Sequence, residues 1–224
     1  MFDIFLDLLF PPHCVNCGRG GTGPRAVCDD CLRAVCLHSS LFCARCGARL
    51  ADNRRVCHRD SPYLLGAACD YSDPTVRELV LALKFKGLFP AARPLAELLL
   101  RYSEGLRILT GREVIVPLPL GPRRLRERGY NQAEEIALIF GKGSGLPVSN
   151  VLERSRETRP QTDLGAEERE RNLSGCFRLR ETPPKATVIL LDDVTTSGAT
   201  LREAALALKR GGVRRVIALT VAKA

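Results

Sequence analysis

Val188-Ile189-Leu190-Leu191-Asp192-Asp193-Val194-Thr195-Thr196-Ser197-Gly198-Ala199-Thr200 decides the fold of this chain. The unbroken apolar run Val188 to Leu191 reads as a strand buried on both faces. From Leu201 the period changes: Leu201, Ala204, Ala205 and Leu208 recur at helical spacing, and Gly211-Gly212 closes the helix. The stretch is therefore strand, short polar loop, helix. A loop of Thr, Ser, Gly and Ala lets its backbone N–H groups approach a ligand, and the positive end of the following helix dipole faces the same point. That combination suits a phosphate. Two adjacent carboxylates would repel the phosphate itself, so they must meet sugar hydroxyls or a divalent cation. A ribose 5-phosphate satisfies both halves. The plainer alternative, a solvated acidic turn, accounts for the acids but not for the loop.

Two other phosphate loops are excluded, because neither G-x-x-x-x-G-K-[ST] nor G-x-G-x-x-G follows a strand here. Residues 188 to 200 resemble the signature of the type I phosphoribosyltransferases: four apolar residues, two acids, then a Thr/Ser/Gly loop ending in Thr. The resemblance implies that Asp192 and Asp193 hold the ribose hydroxyls as the catalytic acids. It implies further that Thr195, Thr196, Ser197, Gly198, Ala199 and Thr200 wrap the 5′-phosphate of phosphoribosyl diphosphate (PRPP).

A chain of 224 residues, 45% hydrophobic and 26% charged, accommodates one ordinary domain and a small module. The net charge is +9, and 28 of the 34 basic residues are Arg. Phosphorylated ligands or nucleic acid fit that balance, although Arg-rich coding alone also produces it. No stretch approaches the ~20 apolar residues of a membrane span. Met1 to Phe10 carries two acids, lacks basic residues and runs into Pro11-Pro12, so it does not read as a signal peptide. A cytoplasmic protein without membrane insertion is expected, and its ten cysteines pose a metal question before a disulfide question.

Nine of those cysteines precede residue 70. Cys14-x-x-Cys17 and Cys28-x-x-Cys31 have the ligand layout of a structural zinc ribbon, with four thiolates and no open position. A second set follows in Cys43-x-x-Cys46 and Cys57-His58-Arg59-Asp60. The template wants its fourth ligand at position 60, where Asp60 stands; His58 is the alternative, and a decayed, metal-free site is the third. Cys36, His38 and His13 read as bystanders, and Cys69 and Cys176 as buried thiols without chemistry. The expected boundary separates a cysteine-rich module at 1–62 from a body at 63–224.

In the body, a strand over 67–71, a helix opened by Asp73-Pro74 and running to Phe85, and a helix over 91–103 are expected. Lys84 and Lys86 could equally serve a ligand, but helix capping suffices to explain them. A strand over 114–116 leads to Arg123, Arg124, Arg126 and Arg128, then to a helix capped by Asn131 and Glu134. Four Arg at a strand exit repel one another unless an anion sits there; a solvated basic turn or a nucleic-acid patch are the rival readings. Residues 154 to 180, with Arg159-Pro160-Gln161, form a long polar loop with few apolar anchors. A final strand spans 213–222.

The cysteine knuckles, Val116-Pro117-Leu118-Pro119-Leu120, Arg128-Gly129-Tyr130-Asn131-Gln132, the Arg159-Pro160-Gln161 loop and the Asp192-to-Thr200 stretch together resemble the ComF family (ComFC/GntX-like) over nearly the whole chain. The resemblance implies an α/β fold, a type I phosphoribosyltransferase-like parallel sheet flanked by helices, with an N-terminal zinc-ribbon module. It implies that the arginines at 123 to 128 receive the diphosphate of PRPP with Mg²⁺. Arg159 and Gln161 would belong to a closing lid. It places such a protein in natural transformation, beside single-stranded DNA and DNA-uptake proteins, with structural Zn²⁺. Three readings stand: transfer of a phosphoribosyl group to an unspecified acceptor, PRPP binding without turnover, or single-strand handling. Aromatic residues make up only 5% of the chain, so base-stacking platforms are expected to be scarce.

Overall fold

The computed structural model describes residues 12–20, 22, 25–50, 57–58, 60–155, 175–184 and 187–224. In the head lie helix α1 (Asp29–Ala34) and the two-residue strand β1 (Phe42–Cys43). The body follows as β2 (Leu64–Asp70), α2 (Pro74–Phe85), a 3₁₀ turn at Phe89–Ala91, α3 (Ala92–Leu106) and β3 (Val114–Pro117). Next come α4 (Pro122–Arg128), α5 (Gln132–Ser144) and the short strands β4 (Leu152–Arg154) and β5 (Phe177–Leu179). The chain ends in β6 (Thr187–Thr195), α6 (Ala199–Arg210) and β7 (Arg215–Lys223).

The main sheet has the order β1-β2-β7-β6-β3, parallel except where β1 pairs with β2. Its central strands are apolar on both faces because helices cover both. Ile189 and Leu191 of β6 with Ile217 and Leu219 of β7 face α2, α3 and α5, whose Leu79, Leu83, Leu95, Leu98 and Phe140 fill that side. Val188, Leu190, Val216 and Ala218 face α6 through Leu201, Ala204, Ala205 and Leu208. The period-2 alternation of a strand thus splits one continuous hydrophobic run between two cores.

Local chemistry accounts for the element ends. Asp73 caps α2 by accepting from the N–H groups of Thr75 and Val76 at 2.9 and 3.1 Å, with Pro74 in the first turn. Asn131 caps α5 by accepting from Ala133 N at 3.1 Å. The expected partner Glu134 instead receives Asn150 Nδ2 at 2.6 Å, so the cap is single rather than reciprocal.

The expected elements recur with shifted bounds. The arginine cluster, read as a strand exit, is helix α4, none of whose residues is buried. β6 runs through both acids to Thr195 instead of ending before them, because β7 continues to pair with it as far as Thr195↔Lys223. The head and body share one apolar cluster: Cys14, Val27, Leu32 and Leu41 pack with Leu79, Val80 and Leu95.

Candidate functional site

Thr195 ends β6, Thr196 and Ser197 turn, and α6 begins at Ala199. Gly198, the residue before the helix, has φ +72°. A Cβ there would lie 2.7 Å from the Tyr63 hydroxyl, so position 198 requires glycine on two grounds. The N-terminus of α6, twelve residues long, therefore opens onto a loop without bulky side chains.

This loop forms one wall of a cleft of about 580 Å³. Thr195, Thr196, Ser197, Gly198, Ala199 and Thr200 all line it, as do Asp192 and Asp193, so every residue of the phosphate and ribose expectation reaches one cavity. Of the four arginines, Arg124 and Arg128 line the cleft. Arg123 and Arg126 are not among the lining residues, and Arg123 Nε pairs with Glu127 at 2.7 Å one helical turn on. The helical period divides the cluster: positions 124 and 128 share one face of α4. Arg154 lines the cleft where β4 pairs with β5, and Ser155 N donates to Cys176 O at 2.9 Å. Arg159 and Gln161 lie outside the described residues.

The two acids do different work. Neighbouring residues on a strand point to opposite faces, so Asp192 and Asp193 diverge. Asp193 is buried toward α2, where its Oδ2 lies 2.7 Å from Lys84 Nζ. That approach pairs the charges of two groups on facing elements, and it turns the buried Oδ2 toward the lysine rather than toward the cleft. Asp192 is half-buried and accepts from Asp193 N at 2.8 Å. Removal from water, and next the like charge of Asp193, push the Asp192 carboxyl well above the usual carboxylate range.

Lys84, for which capping suffices and a ligand role is the alternative, lines the cleft. Its signal was available: Val76, Val80 and Lys84 stand four apart, so this cation continues the buried stripe of α2. Its neighbour Phe85 is 71% exposed at the cleft, with the Arg128 guanidinium 5.6 Å over its ring. The rest of the Arg-Gly-Tyr-Asn-Gln segment braces Arg128 and its neighbours, with Tyr130 and Gln132 also lining the cleft. Tyr130 donates its hydroxyl to Leu83 O and packs its ring on Phe89, while Asn131 Nδ2 donates to Leu118 O at 3.0 Å. Gln132 Oε1 accepts from Arg128, fixing that arginine beside the cavity.

The head presents two metal groups, Cys14/Cys17/Cys28/Cys31 and Cys43/Cys46/Cys57/His58, with the ligand atoms of each within 4.8 Å of one another. Cys17 and Cys28 Sγ are 3.8 Å apart, and Cys46 and Cys57 Sγ 3.4 Å. Thiolates about 2.3 Å from one tetrahedral zinc stand roughly 3.8 Å apart, whereas a disulfide would need about 2.05 Å. All ten cysteines are free. Both knuckles fold alike: Gly18 N donates to Cys14 O at 2.9 Å, and Gly47 N to Cys43 O at 2.8 Å. Burial raises the Cys14 thiol, but backbone N–H groups of Cys17, Cys28 and Asn16 outweigh it and bring that thiol down to about 6. Thiolate ligands are what a zinc ion requires.

In the second group His58, the alternative ligand, takes the fourth place. Its Nδ1 lies 3.5 Å from Cys43 Sγ and 3.2 Å from Cys57 Sγ. Asp60, placed first by spacing, points its carboxylate to Arg45 Nη1 at 2.5 Å and stands outside the group. Cys36, His38 and His13 belong to neither group. Cys69 Sγ donates to Val221 O at 3.0 Å, and burial pushes its thiol up to about 12.

Residues 5–60 match the family model of a double zinc ribbon domain, and residues 125–224 that of a phosphoribosyl transferase domain. Over 199 residues the chain is 35% identical to the DNA utilization protein YhgH of Salmonella typhimurium, covering 85% of this chain and 87% of the relative. The chain belongs to the ComF family. Within it, Competence protein F of Haemophilus influenzae is 29% identical over 95% of this chain and 97% of its own length. Competence protein ComFC of Bacillus subtilis is 35% identical, over 44% of this chain and 39% of its own. ComF membership fits the geometry just described: a double zinc ribbon on a phosphoribosyltransferase domain. Among the described residues no helix is long and apolar enough to cross a membrane.

Because head and body share one core, stripping zinc should reach the whole molecule. A strong chelator is expected to lower the melting temperature by more than about 10 °C, since structural zinc supplies several kcal/mol and each shifts a chain this size by about 2–4 °C. Scanning calorimetry checks this; a body that melts unchanged would show that the ribbons are not coupled to it.

Proposed function

We propose that this ComF protein binds PRPP in the cleft between α2, α4 and α6 and transfers its phosphoribosyl group, in the cytoplasm, to an acceptor during the use of imported DNA. The observation that supports this most is the convergence of Asp192, Asp193, Lys84, Arg124, Arg128 and the 195–200 loop on one cavity. The loop and the α6 dipole would hold the 5′-phosphate. Asp192 would accept from the ribose hydroxyls, with Asp193 behind it held by Lys84. Arg124 and Arg128 would receive the diphosphate, and Lys84 stands within the same cavity to meet charge that builds there.

In the transfer, the bond from C1 of the ribose to the diphosphate oxygen breaks and the leaving group keeps the electron pair. A lone pair on the acceptor then forms the new bond to C1. Asp192 is the carboxylate that would hold a Mg²⁺, whose chemistry there would be neutralisation of leaving-group charge. Asp192 offers such an ion one carboxylate at the cleft, and oxygens of the ligand would have to supply the rest.

The names of the relatives, competence and DNA utilization proteins, support the transformation setting. They also favour a second reading, for which the structure adds one observation. Aromatic residues are few, yet Phe85 and Phe89 are 71% and 49% exposed near Arg128 and Tyr130. Exposed rings beside cations suit the bases and phosphates of a single strand.

Incubation with labelled PRPP, Mg²⁺ and candidate amines or bases, followed by calorimetry with PRPP, separates the readings. Diphosphate release coupled to a ribosylated product supports transfer, and binding without release supports a sensor. Indifference to PRPP with salt-sensitive single-strand binding replaces both by strand handling.

A further inference from the structure

Tyr63 stands at the junction of the second metal group and the phosphate loop, 135 residues away from that loop in sequence. It is 3% exposed and donates its hydroxyl to Gly198 O at 3.3 Å. Behind it the chain is fastened to the ribbon. Ser61 Oγ donates to Tyr63 O at 3.0 Å, and Ser61 N donates to His58 O at 3.1 Å. The next residue, Leu64, pairs across the sheet with Cys43. Two members of the second metal group therefore flank the segment that carries Tyr63.

The bond acts on one peptide plane. In a trans peptide the C=O and the following N–H point in opposite directions. Gly198 O is held by Tyr63 and, at 2.8 Å, by Arg202 N, so the N–H of Ala199 is turned away from Tyr63. Ala199 lines the cleft, and among the described residues its N–H reaches only Ser197 Oγ, at 3.5 Å. A donor so weakly engaged at the start of a helix is available to an anion. Without the tyrosine hydroxyl the plane keeps only its Arg202 bond, and a glycine at φ +72° resists rotation less than any other residue would.

We propose that Tyr63 is a positioning residue for the 5′-phosphate loop: it fixes the Gly198–Ala199 peptide so that Ala199 N–H faces the cleft, and it fastens that peptide to the second ribbon. The assignment of a phosphate to this loop rests on the functional reading above. The device makes the ribbon a brace for the ligand site as well as a folding module. Loss of the second metal group would loosen the loop without touching the ligand.

The full-length protein tests this with Tyr63→Phe, which removes one oxygen and keeps the ring. Tyr102→Phe is the control, since Tyr102 is equally buried and donates to Ser40 O at 2.7 Å, a bond unconnected with the loop. Amide hydrogen exchange over 196–201 in the unliganded protein is expected to quicken about fivefold in Y63F and not in Y102F. Ribose 5-phosphate affinity should fall about fivefold in Y63F alone, with the Ala199 amide losing most of its ligand-induced NMR shift. His58→Ala should also quicken exchange in the loop, and the Y63F/H58A pair should add little beyond the larger single effect. Unchanged loop exchange in Y63F overturns the positioning role, and additive effects overturn the link to the ribbon. If the wild-type protein ignores ribose 5-phosphate and PRPP, the functional reading falls, while the exchange measurements still judge Tyr63.

Discussion

Lys84→Met should cost about 3–5 kcal/mol of folding stability, a large share of the ~5–15 kcal/mol typical of a folded domain. The side chain of Asp193 is 3% exposed and that of Lys84 21%, so the pair lies out of reach of full solvent screening. Methionine keeps the length and apolar stem of lysine while leaving the carboxylate without its cation. Removing one partner of a buried pair is far more damaging than never having had the pair, because the remaining charge is neither hydrated nor neutralised. The double variant K84M/D193N is therefore expected to recover most of the lost stability, since asparagine carries no charge to strand. Denaturant midpoints of the three variants check this. A loss below about 1 kcal/mol in K84M would mean that the pair is solvated in solution. A double variant no better than the single one would mean that lysine contributes through packing.

That pair also marks the limit of what is legible in the sequence alone. The run Val188 to Leu191 and the loop after it were legible because their information is local: burial on both faces, small residues, a change from extended to helical period. Cysteine spacing was legible for the same reason. Helix α4 was not, because its seven residues bury nothing and so leave no apolar period to detect. Strands β1, β4 and β5 have two or three residues each, too few for an alternation to register. For Lys84 the local pattern could not choose between a C-terminal cap and a ligand contact, because its partner arrives from another part of the chain, through a parallel sheet whose order is a tertiary fact. His58 stands with the second cysteine group and Asp60 with Arg45, a pairing that spacing templates do not register. The division of labour between Asp192 and Asp193 follows from strand geometry once β6 is known to run past them. The sequence pattern, which ends the strand at the last apolar residue, treats them as equivalents.

Their inequivalence yields a second large effect, with opposite signs in two measurements. Asp192→Asn should weaken PRPP binding about tenfold to a hundredfold, the range for losing a hydrogen bond to a charged acceptor. The amide can keep its oxygen on Asp193 N, which leaves an NH₂ facing hydroxyls that need an acceptor. The same substitution should stabilise the unliganded protein by about 0.5–2 kcal/mol, as is common where a functional group sits in an unfavourable place. Desolvation and the neighbouring Asp193 raise the Asp192 carboxyl above its unfolded value, so the folded state holds this proton at pH values where the unfolded chain has released it. Stability then falls as pH rises from about 4, the unfolded carboxyl value, toward the raised folded value, and levels off above it. D192N removes this group's contribution to that slope, and its advantage over wild type should vanish below about pH 4. Melting curves across pH on both proteins measure the slope directly. A variant less stable than wild type at neutral pH would show that the Asp192 carboxylate supports the fold and is not held there at the fold's expense.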